Sequence, residues 1–231
     1  TEMWENPAIV DNIALLRSRG VHIVEPEEGR LAGGDIGKGR LAAPATVVDA
    51  VADILDTAGL DLSGLRVLVT AGGTREQLDP VRFIGNRSTG KQGYAFAEIA
   101  ARAGAQVELI TTVDLPTPAG VEVVELTTAA EMHQAALLGA ERADIIVMAA
   151  AVADFRPVDP SEVKIKKSGG VPTIELERTV DSLAELGSRK RPGQQLVGFA
   201  AETNDLIPNA ERKLESKGAD FIVANDVSVP G

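Results

Sequence analysis

Five stretches of the chain combine reactive or ligand-holding side chains with small residues that let a ligand come close. Thr70-Ala71-Gly72-Gly73-Thr74 follows a short apolar run. Glycine there lets the main chain approach a phosphate, and the Thr74 hydroxyl adds a polar contact. A tight turn at a strand exit accounts for the same residues. The spacing is not GxGxxG, so the dinucleotide fingerprint fails. The second stretch runs from Asp79 through Arg82, Gly85, Asn86, Ser88, Thr89, Gly90 and Lys91 to Gly93. Gly85 to Lys91 matches the opening of a P-loop, but Gln92 stands where Ser or Thr would hold magnesium. The segment also follows a long loop instead of leaving a strand, and a Walker A loop is rejected on both counts. Ser88, Thr89 and Gly90 remain suited to a helix N-terminus that receives an anion. Asn86, just before them, can donate and accept at a reacting carbonyl. An N-capped helix behind a surface loop is the plainer alternative.

The third stretch, Ala149-Ala150-Ala151-Val152-Ala153-Asp154, is small enough for a flat ring or sugar to lie against the main chain. Asp154 could accept from an amino group, or simply cap a helix packed on the sheet. In Val163-Lys164-Ile165-Lys166-Lys167 the alternation puts Lys164 and Lys166 on one side of an extended segment, and Ser168-Gly169-Gly170 predicts a hinge. Such a lysine-bearing flap could close over a polyphosphate and screen its charge in the transition state. A solvated charged loop is the usual explanation of such a run. The last stretch is Gly198-Phe199-Ala200-Ala201-Glu202-Thr203, followed by Lys213 and Lys217 on one helix face. Together they could grip a base and phosphates, or only keep a helix soluble.

The elements that must position these residues follow an alternating pattern. Apolar runs predict strands at Val67–Ala71, Gln106–Thr111, Val121–Leu126, Asp144–Ala149, Gln195–Ala200 and Phe221–Ala224, of the type buried in a parallel sheet. Helical spacing marks Gly90–Ala103, Thr128–Ala140, Asp181–Leu186 and Asp205–Lys217, with Thr128 and Glu131 predicting a capping box. Asp154–Pro172 reads as irregular and Thr173–Leu176 as a short strand. The expected fold is therefore α/β, a Rossmann-like three-layer arrangement with a mainly parallel sheet and a flexible lysine-bearing flap. Ligands of such folds bind beyond the carboxyl ends of the strands, where the unusual residues sit. Upstream, Pro7–Ser18 predicts an amphipathic helix and His22–Glu25 a brief apolar strand. Glu28–Arg40 reads as glycine-rich loop and Thr46–Thr57 as helix. The chain stops soon after the sixth strand, which predicts truncation of a longer fold.

Composition bounds the chemistry. The chain has 231 residues, 44% hydrophobic and 25% charged, so wholesale disorder is excluded. With no cysteine it has no disulfides, thiolate metal sites or cysteine nucleophile, and its 2 histidines are far apart. The net charge of -11 argues against a general nucleic-acid binder but not against a small anion held by local lysines. No apolar run reaches about 18 residues. The chain is expected to be cytoplasmic, without membrane or nucleic-acid partners.

Taken in order, VTAGGTREQLDPVRFIGNRSTGKQG, AAAVADFRP, KIKK, GFAAET and ANDVS resemble one family, phosphopantothenate–cysteine ligase of the bacterial bifunctional coenzyme A biosynthesis type. The resemblance implies that CTP, with Mg²⁺, activates the carboxylate of 4′-phosphopantothenate as an acyl-cytidylate with release of pyrophosphate. The amine of L-cysteine then displaces CMP. By motif matching, the CTP contacts fall on Met148, Ala149, Ala150, Asp154, Lys164, Val180, Asp181, Ser182, Leu183, Phe199, Lys213 and Lys217. Within Val180–Leu183 only Asp181 matches the family motif well. Asn86 and Lys164 take the catalytic roles: Asn86 holds the acyl-cytidylate and Lys164 neutralises the triphosphate. Gly72, Gly73, Thr74, Arg82, Asn86, Ser88 and Gly90 are the expected phosphate or substrate contacts. Magnesium would be held mainly by the CTP phosphates, and a homodimer is expected, with Asp79–Phe83 near the partner.

A second resemblance covers the start of the chain. Thr1-Glu2-Met3-Trp4 is similar to the end of the substrate clamp of the flavin-dependent phosphopantothenoylcysteine decarboxylase, and Gly29–Leu41 to its flap. The family's catalytic cysteine is replaced by Gly33, so no decarboxylase activity is expected, and FMN belongs only to the absent decarboxylase domain. The implied division is a decarboxylase remnant over 1–45, a linker helix over 46–64 and the ligase over 65–231. An NAD(P)-binding Rossmann oxidoreductase is the main alternative, opposed by the missing GxGxxG and by the absence of Tyr-x-x-x-Lys, since Tyr94 is followed by Glu98. A non-catalytic nucleotide-binding module is the other.

Overall fold

The structure is a computed structural model that describes residues 4–19, 21–30, 36–44, 46–48, 50–51, 60–166, 170–202 and 204–226. It divides into two compact units, Thr1–Leu60 and Asp61–Gly231.

In the first unit, helix α1 (Pro7–Ser18) starts where the Asn6 side chain accepts from the Ala8 N–H at 3.0 Å. Pro7 sits where no N–H is needed. Strands β1 (Glu27–Arg30) and β2 (Ile36–Arg40) pair as an antiparallel ribbon. This corrects two expectations. The apolar residues His22–Glu25 form no strand, and the glycine-rich stretch after them does. Pairing is a main-chain property and needs a partner strand; Glu25 is instead engaged by Arg17 and Lys38. Of the helix expected over Thr46–Thr57, residues 46–48, 50 and 51 are helical and the rest lie outside the described residues. So do Thr1, Glu2, Met3 and Gly33.

The second unit is built on six parallel strands: β3 (Arg66–Ala71), β6 (Gln106–Thr111), β7 (Val121–Glu125), β8 (Ile145–Met148), β11 (Gln195–Glu202) and β12 (Phe221–Asp226). They lie in the order β12-β11-β8-β3-β6-β7. Helices α2 (Lys91–Arg102), α3 (Ala129–Ala140), α4 (Ser182–Arg189) and α5 (Leu206–Lys217) connect them. Alternation along β3 explains the layering. Val67, Val69 and Ala71 pack with Ala97 and Ala100 of α2, whereas Leu68 on the other face packs with Met132 and Ala136 of α3 and with Leu186 of α4. Gly93 lets α2 come close: a Cβ there would lie 2.6 Å from Ala71 Cβ and 2.8 Å from Thr70 O. Both halves of the capping box form at the start of α3, between Thr128 and Glu131.

Two small antiparallel ribbons complete the unit. β4 (Arg75–Gln77) pairs with β5 (Phe83–Gly85) within the stretch read as loop. β9 (Phe155–Pro157) pairs with β10 (Leu176–Arg178), so the segment after Asp154 is not wholly irregular and its partner strand lies later than Thr173–Leu176. Each ribbon strand has only three residues, too few for side-chain alternation to announce it. No helix among the described residues is long and apolar enough to cross a membrane.

Candidate functional site

Numbering only the sheet strands in chain order, the sheet runs 3-2-1-4-5-6 from the β7 edge to the β12 edge. Strand order therefore switches direction between β3 and β8, and a crevice opens beyond their carboxyl ends. The main chain after these ends continues to pair. Gly73 bridges Ala151, the Ala151 N–H donates to Gly72 O at 2.8 Å, and the Thr74 N–H donates to Ala151 O at 3.2 Å. The buried Thr74 hydroxyl accepts from the Ala153 N–H at 2.9 Å, and Thr70 Oγ1 accepts from Ala150 at 3.2 Å. Threonines at the end of β3 thus hold the Ala149–Asp154 turn in place. Gly72, Gly73 and Thr74 do not line the crevice, and the Thr74 N–H and hydroxyl are engaged within the fold.

The crevice is a cavity of about 790 Å³, within the range of small-ligand sites. Its walls bring together most residues singled out in the sequence: Asn86, Ser88, Met148, Ala149, Ala150, Asp154, Val180, Asp181, Ser182, Leu183, Phe199, Lys213 and Lys217. The Asn86 amide nitrogen donates to Val152 O at 3.0 Å, which orients that amide at the rim. Phe199 is braced edge-on by Phe96, with ring centres 5.7 Å apart. Lys213 Nζ donates to Phe199 O at 2.6 Å, and Lys217 pairs with Asp181. Asp181 also caps α4, accepting from the Ala184 N–H at 2.9 Å. Burial works to raise the Asp181 carboxyl, but Lys217, the Ala184 N–H and the charge of Lys213 outweigh it and hold it below its ordinary value.

A polar cluster stands behind this wall that sequence reasoning missed. His133 of α3 has Nδ1 3.1 Å from Ser182 Oγ and Nε2 3.3 Å from Glu185 Oε2. A carboxylate can only accept, so a neutral imidazole carries its proton on Nε2 and its Nδ1 accepts from the Ser182 hydroxyl. That leaves the buried Ser182 oxygen as an acceptor. The available signal was one histidine in a helix, Ala129–Ala140, whose other polar residues are Glu131 and Gln134.

Besides Gly72, Gly73 and Thr74, three more expected residues stand elsewhere. Gly90 is the buried N-cap of α2, with φ of 74°. Lys164 is exposed and does not line the cavity, and Lys167, Ser168 and Gly169 lie outside the described residues. The Arg82 guanidinium is 2.9 Å from the Asp79 carboxylate and also donates to Ile165 O. Among the described residues no three His, Asp or Glu side chains converge as a metal site, and the cavity wall carries the carboxylates Asp154 and Asp181.

The family model for the DNA/pantothenate metabolism flavoprotein C-terminal domain matches residues 62–231, and a flavoprotein model matches residues 1–56. The coenzyme A biosynthesis bifunctional protein CoaBC of Mycobacterium bovis is 51% identical over 243 residues, covering 98% of this chain and 58% of that protein. The protein of the same name from Bacillus subtilis is 47% identical over 232 residues, covering 99% and 57%. The chain thus spans a little over half the length of these relatives. A crystal structure of the C-terminal domain of a CoaBC protein matches with a TM-score of 0.63 and 45% identity, covering 71% of this chain and 79% of that one.

Proposed function

Because the chain belongs to the family of the DNA/pantothenate metabolism flavoprotein C-terminal domain, we propose that its second unit is a CTP-dependent ligase joining 4′-phosphopantothenate to L-cysteine. The observation that carries this reading is the cavity at the switch point, where Asn86, Asp154, Phe199, Lys213 and Lys217 converge. The relatives' names, which give coenzyme A biosynthesis, support it.

In this reading the nucleoside lies against Met148, Ala149 and Ala150, whose small side chains leave the main chain accessible, and beside the braced Phe199. Asp154 accepts from the amino group of cytosine or from the sugar. Lys213 and Lys217 face the phosphates. The Lys217–Asp181 pair fixes the ammonium before the ligand arrives, so little ordering remains to be done on binding. The substrate carboxylate attacks the α-phosphorus, a carbon-to-phosphorus oxygen bridge forms, and the bond to pyrophosphate breaks. Lys164 screens the charge that develops on the departing phosphates. The cysteine amine then attacks the acyl carbon; the C–N bond forms, CMP leaves with the bridging oxygen, and a proton passes from nitrogen to solvent. The Asn86 amide, oriented by Val152 O, is suited to donate to the acyl oxygen during this exchange. Magnesium bound with the triphosphate would supply further charge neutralisation.

The same proposal takes residues 1–45 as belonging to the decarboxylase domain, 46–64 as linker and 65–231 as the ligase. FMN is then bound only by the flavin domain of the full-length protein. It also takes the protein as cytoplasmic and as a homodimer, the latter consistent with the exposed Val81 (60%) and Phe83 (55%) in the region expected near the partner. The test is pyrophosphate release from CTP with phosphopantothenate, with and without cysteine. Wild type is expected to release pyrophosphate, Lys164→Gln to slow cytidylation, and Asn86→Asp to impair formation or use of the intermediate. Absence of CTP-dependent release, with hydride transfer from NADPH instead, would overturn the reading.

A further inference from the structure

Lys164 stands outside the cavity wall, so something must determine where its ammonium enters the reaction. The segment that carries it is tied to the turn between β4 and β5. The Ser161 N–H donates to Leu78 O at 2.9 Å, and the Ile165 N–H donates to Asp79 Oδ2 at 3.2 Å. The Arg82 guanidinium donates to Ile165 O and lies 2.9 Å from Asp79 Oδ2. Lys164 therefore sits between two anchored residues, and both main-chain polar groups of Ile165 are held by one carboxylate–guanidinium pair.

The turn is built to keep that pair in place. Asp79 Oδ1 accepts from the N–H groups of Val81 and Arg82, each at 2.8 Å, and Leu78 and Asp79 both donate to Arg82 O. The carboxylate is 1% exposed. A buried carboxylate is tolerated only when its lone pairs are met, and here two of its donors are local while a third comes from 86 residues along the chain. Burial pushes the carboxyl up, but the N–H groups of Val81, Ile165 and Arg82 and the Arg82 charge outweigh it. An Asx turn needs only the local donors. The second oxygen is spent on Ile165.

We propose that Asp79 and Arg82 are positioning residues, a clamp on the Ile165 main chain that sets where Lys164 meets the triphosphate. The inference rests on the catalytic reading of Lys164 given above. It also gives Arg82 a role other than the direct anion contact expected from the sequence.

The test combines Asp79→Asn, Lys164→Gln and their double variant, read by steady-state pyrophosphate release and by hydrogen exchange at the Ile165 amide. Asp79→Asn is expected to lower kcat about tenfold or more while the KM for CTP changes less than about twofold, because Lys164 acts on the charge that develops in the transition state while the cavity wall, which it does not line, carries ground-state binding. In the Lys164→Gln background the same change should have little further effect. The Ile165 amide should be protected in wild type and exchange faster in Asp79→Asn. Multiplied losses in the double variant, wild-type kcat in Asp79→Asn, or unchanged exchange would each overturn the clamp. If Asp79→Asn does not fold, Arg82→Gln removes only the guanidinium arm and is expected to show the same dependence on Lys164. Should wild type show no CTP-dependent release, the ligase reading fails on its own, and the exchange experiment still decides whether Asp79 holds Ile165.

Discussion

Replacing Gly73 by alanine should separate the placement of Asn86 from the stability of the fold. A Cβ at Gly73 would lie 2.3 Å from Asn86 O, 3.3 Å from Asn86 C and 3.5 Å from Ser88 Cβ. A carbon–oxygen contact needs about 3.3 Å, so the main chain at Asn86 must retreat by roughly 1 Å or the pairing of Gly73 with Ala151 must open. The φ angle at Gly73 suits any residue, so the effect is steric. Overpacking of this kind costs about 1–3 kcal/mol, partly offset by about 0.4–1 kcal/mol from the stiffer unfolded chain. For a chain of this size the net loss corresponds to a fall in Tm of roughly 1–10 °C. Activity should suffer more: a 1 Å misplacement at a reacting group can cost about 100-fold. The control is Gly193→Ala, where φ is 84° and no atom lies within 4 Å of the new methyl. It should lose about 1 kcal/mol to backbone strain and keep wild-type kcat. Thermal melts and CTP-dependent pyrophosphate release on both variants decide the matter. A Gly73→Ala protein that melts and turns over like wild type refutes the steric argument, and equal activity losses in both variants refute the link through Asn86.

Three further outcomes follow from the same contacts. Glu76 is 4% exposed and accepts from the Ala129 N–H at 2.8 Å, so Glu76→Ala should lower stability by about 1.5–3 kcal/mol, seen as a lower urea midpoint at unchanged m; an unchanged midpoint contradicts this. His133→Phe frees the Ser182 hydroxyl proton, and the KM for CTP should rise about threefold or more with kcat nearly unchanged; an unaltered KM would sever the cluster from the cavity. The Asp220 carboxyl is raised by burial but lowered further by Lys190 at 2.6 Å and the Leu196 N–H at 2.7 Å, leaving it below its ordinary value. Its contribution is complete above the unfolded value of about 3.9 and disappears as pH falls through the folded one, so Asp220→Asn should flatten the stability curve below about pH 4. An acid limb as steep as wild type's would exclude it.

The sheet and its helices are readable in the sequence because their signals are local. Val67–Ala71 and Ile145–Met148 are short runs of mostly large apolar residues, each entered from a charged residue and left through small ones, and Thr128 with Glu131 marks the start of α3 within one turn. The segments converging on the cavity could be found for the same reason, since they follow strand ends. What stayed hidden depends on partners far along the chain. Arg75-Glu76-Gln77 and Phe83-Ile84-Gly85 become strands because Asp79 and Arg82 close the turn between them, not through any periodicity of their own. Arg82 reads in the sequence as a cation for a bound anion, yet it is bound to Asp79 and Ile165. His133 meets Ser182 across 49 residues, and nothing near either residue signals the contact.

The central position of β3 also bears on how the protein is made. One edge of β3 pairs with β6, but the other pairs with β8, whose last residue is Met148. At about 5–20 residues per second, roughly 4–15 s pass between the synthesis of Ala71 and that of Met148. For that interval Val67–Ala71, fully buried in the finished protein, has an unpaired edge and an uncovered apolar face. The most protected strand of the native sheet is thus the nascent chain's longest-lived site for misassociation, and the part most in need of a chaperone.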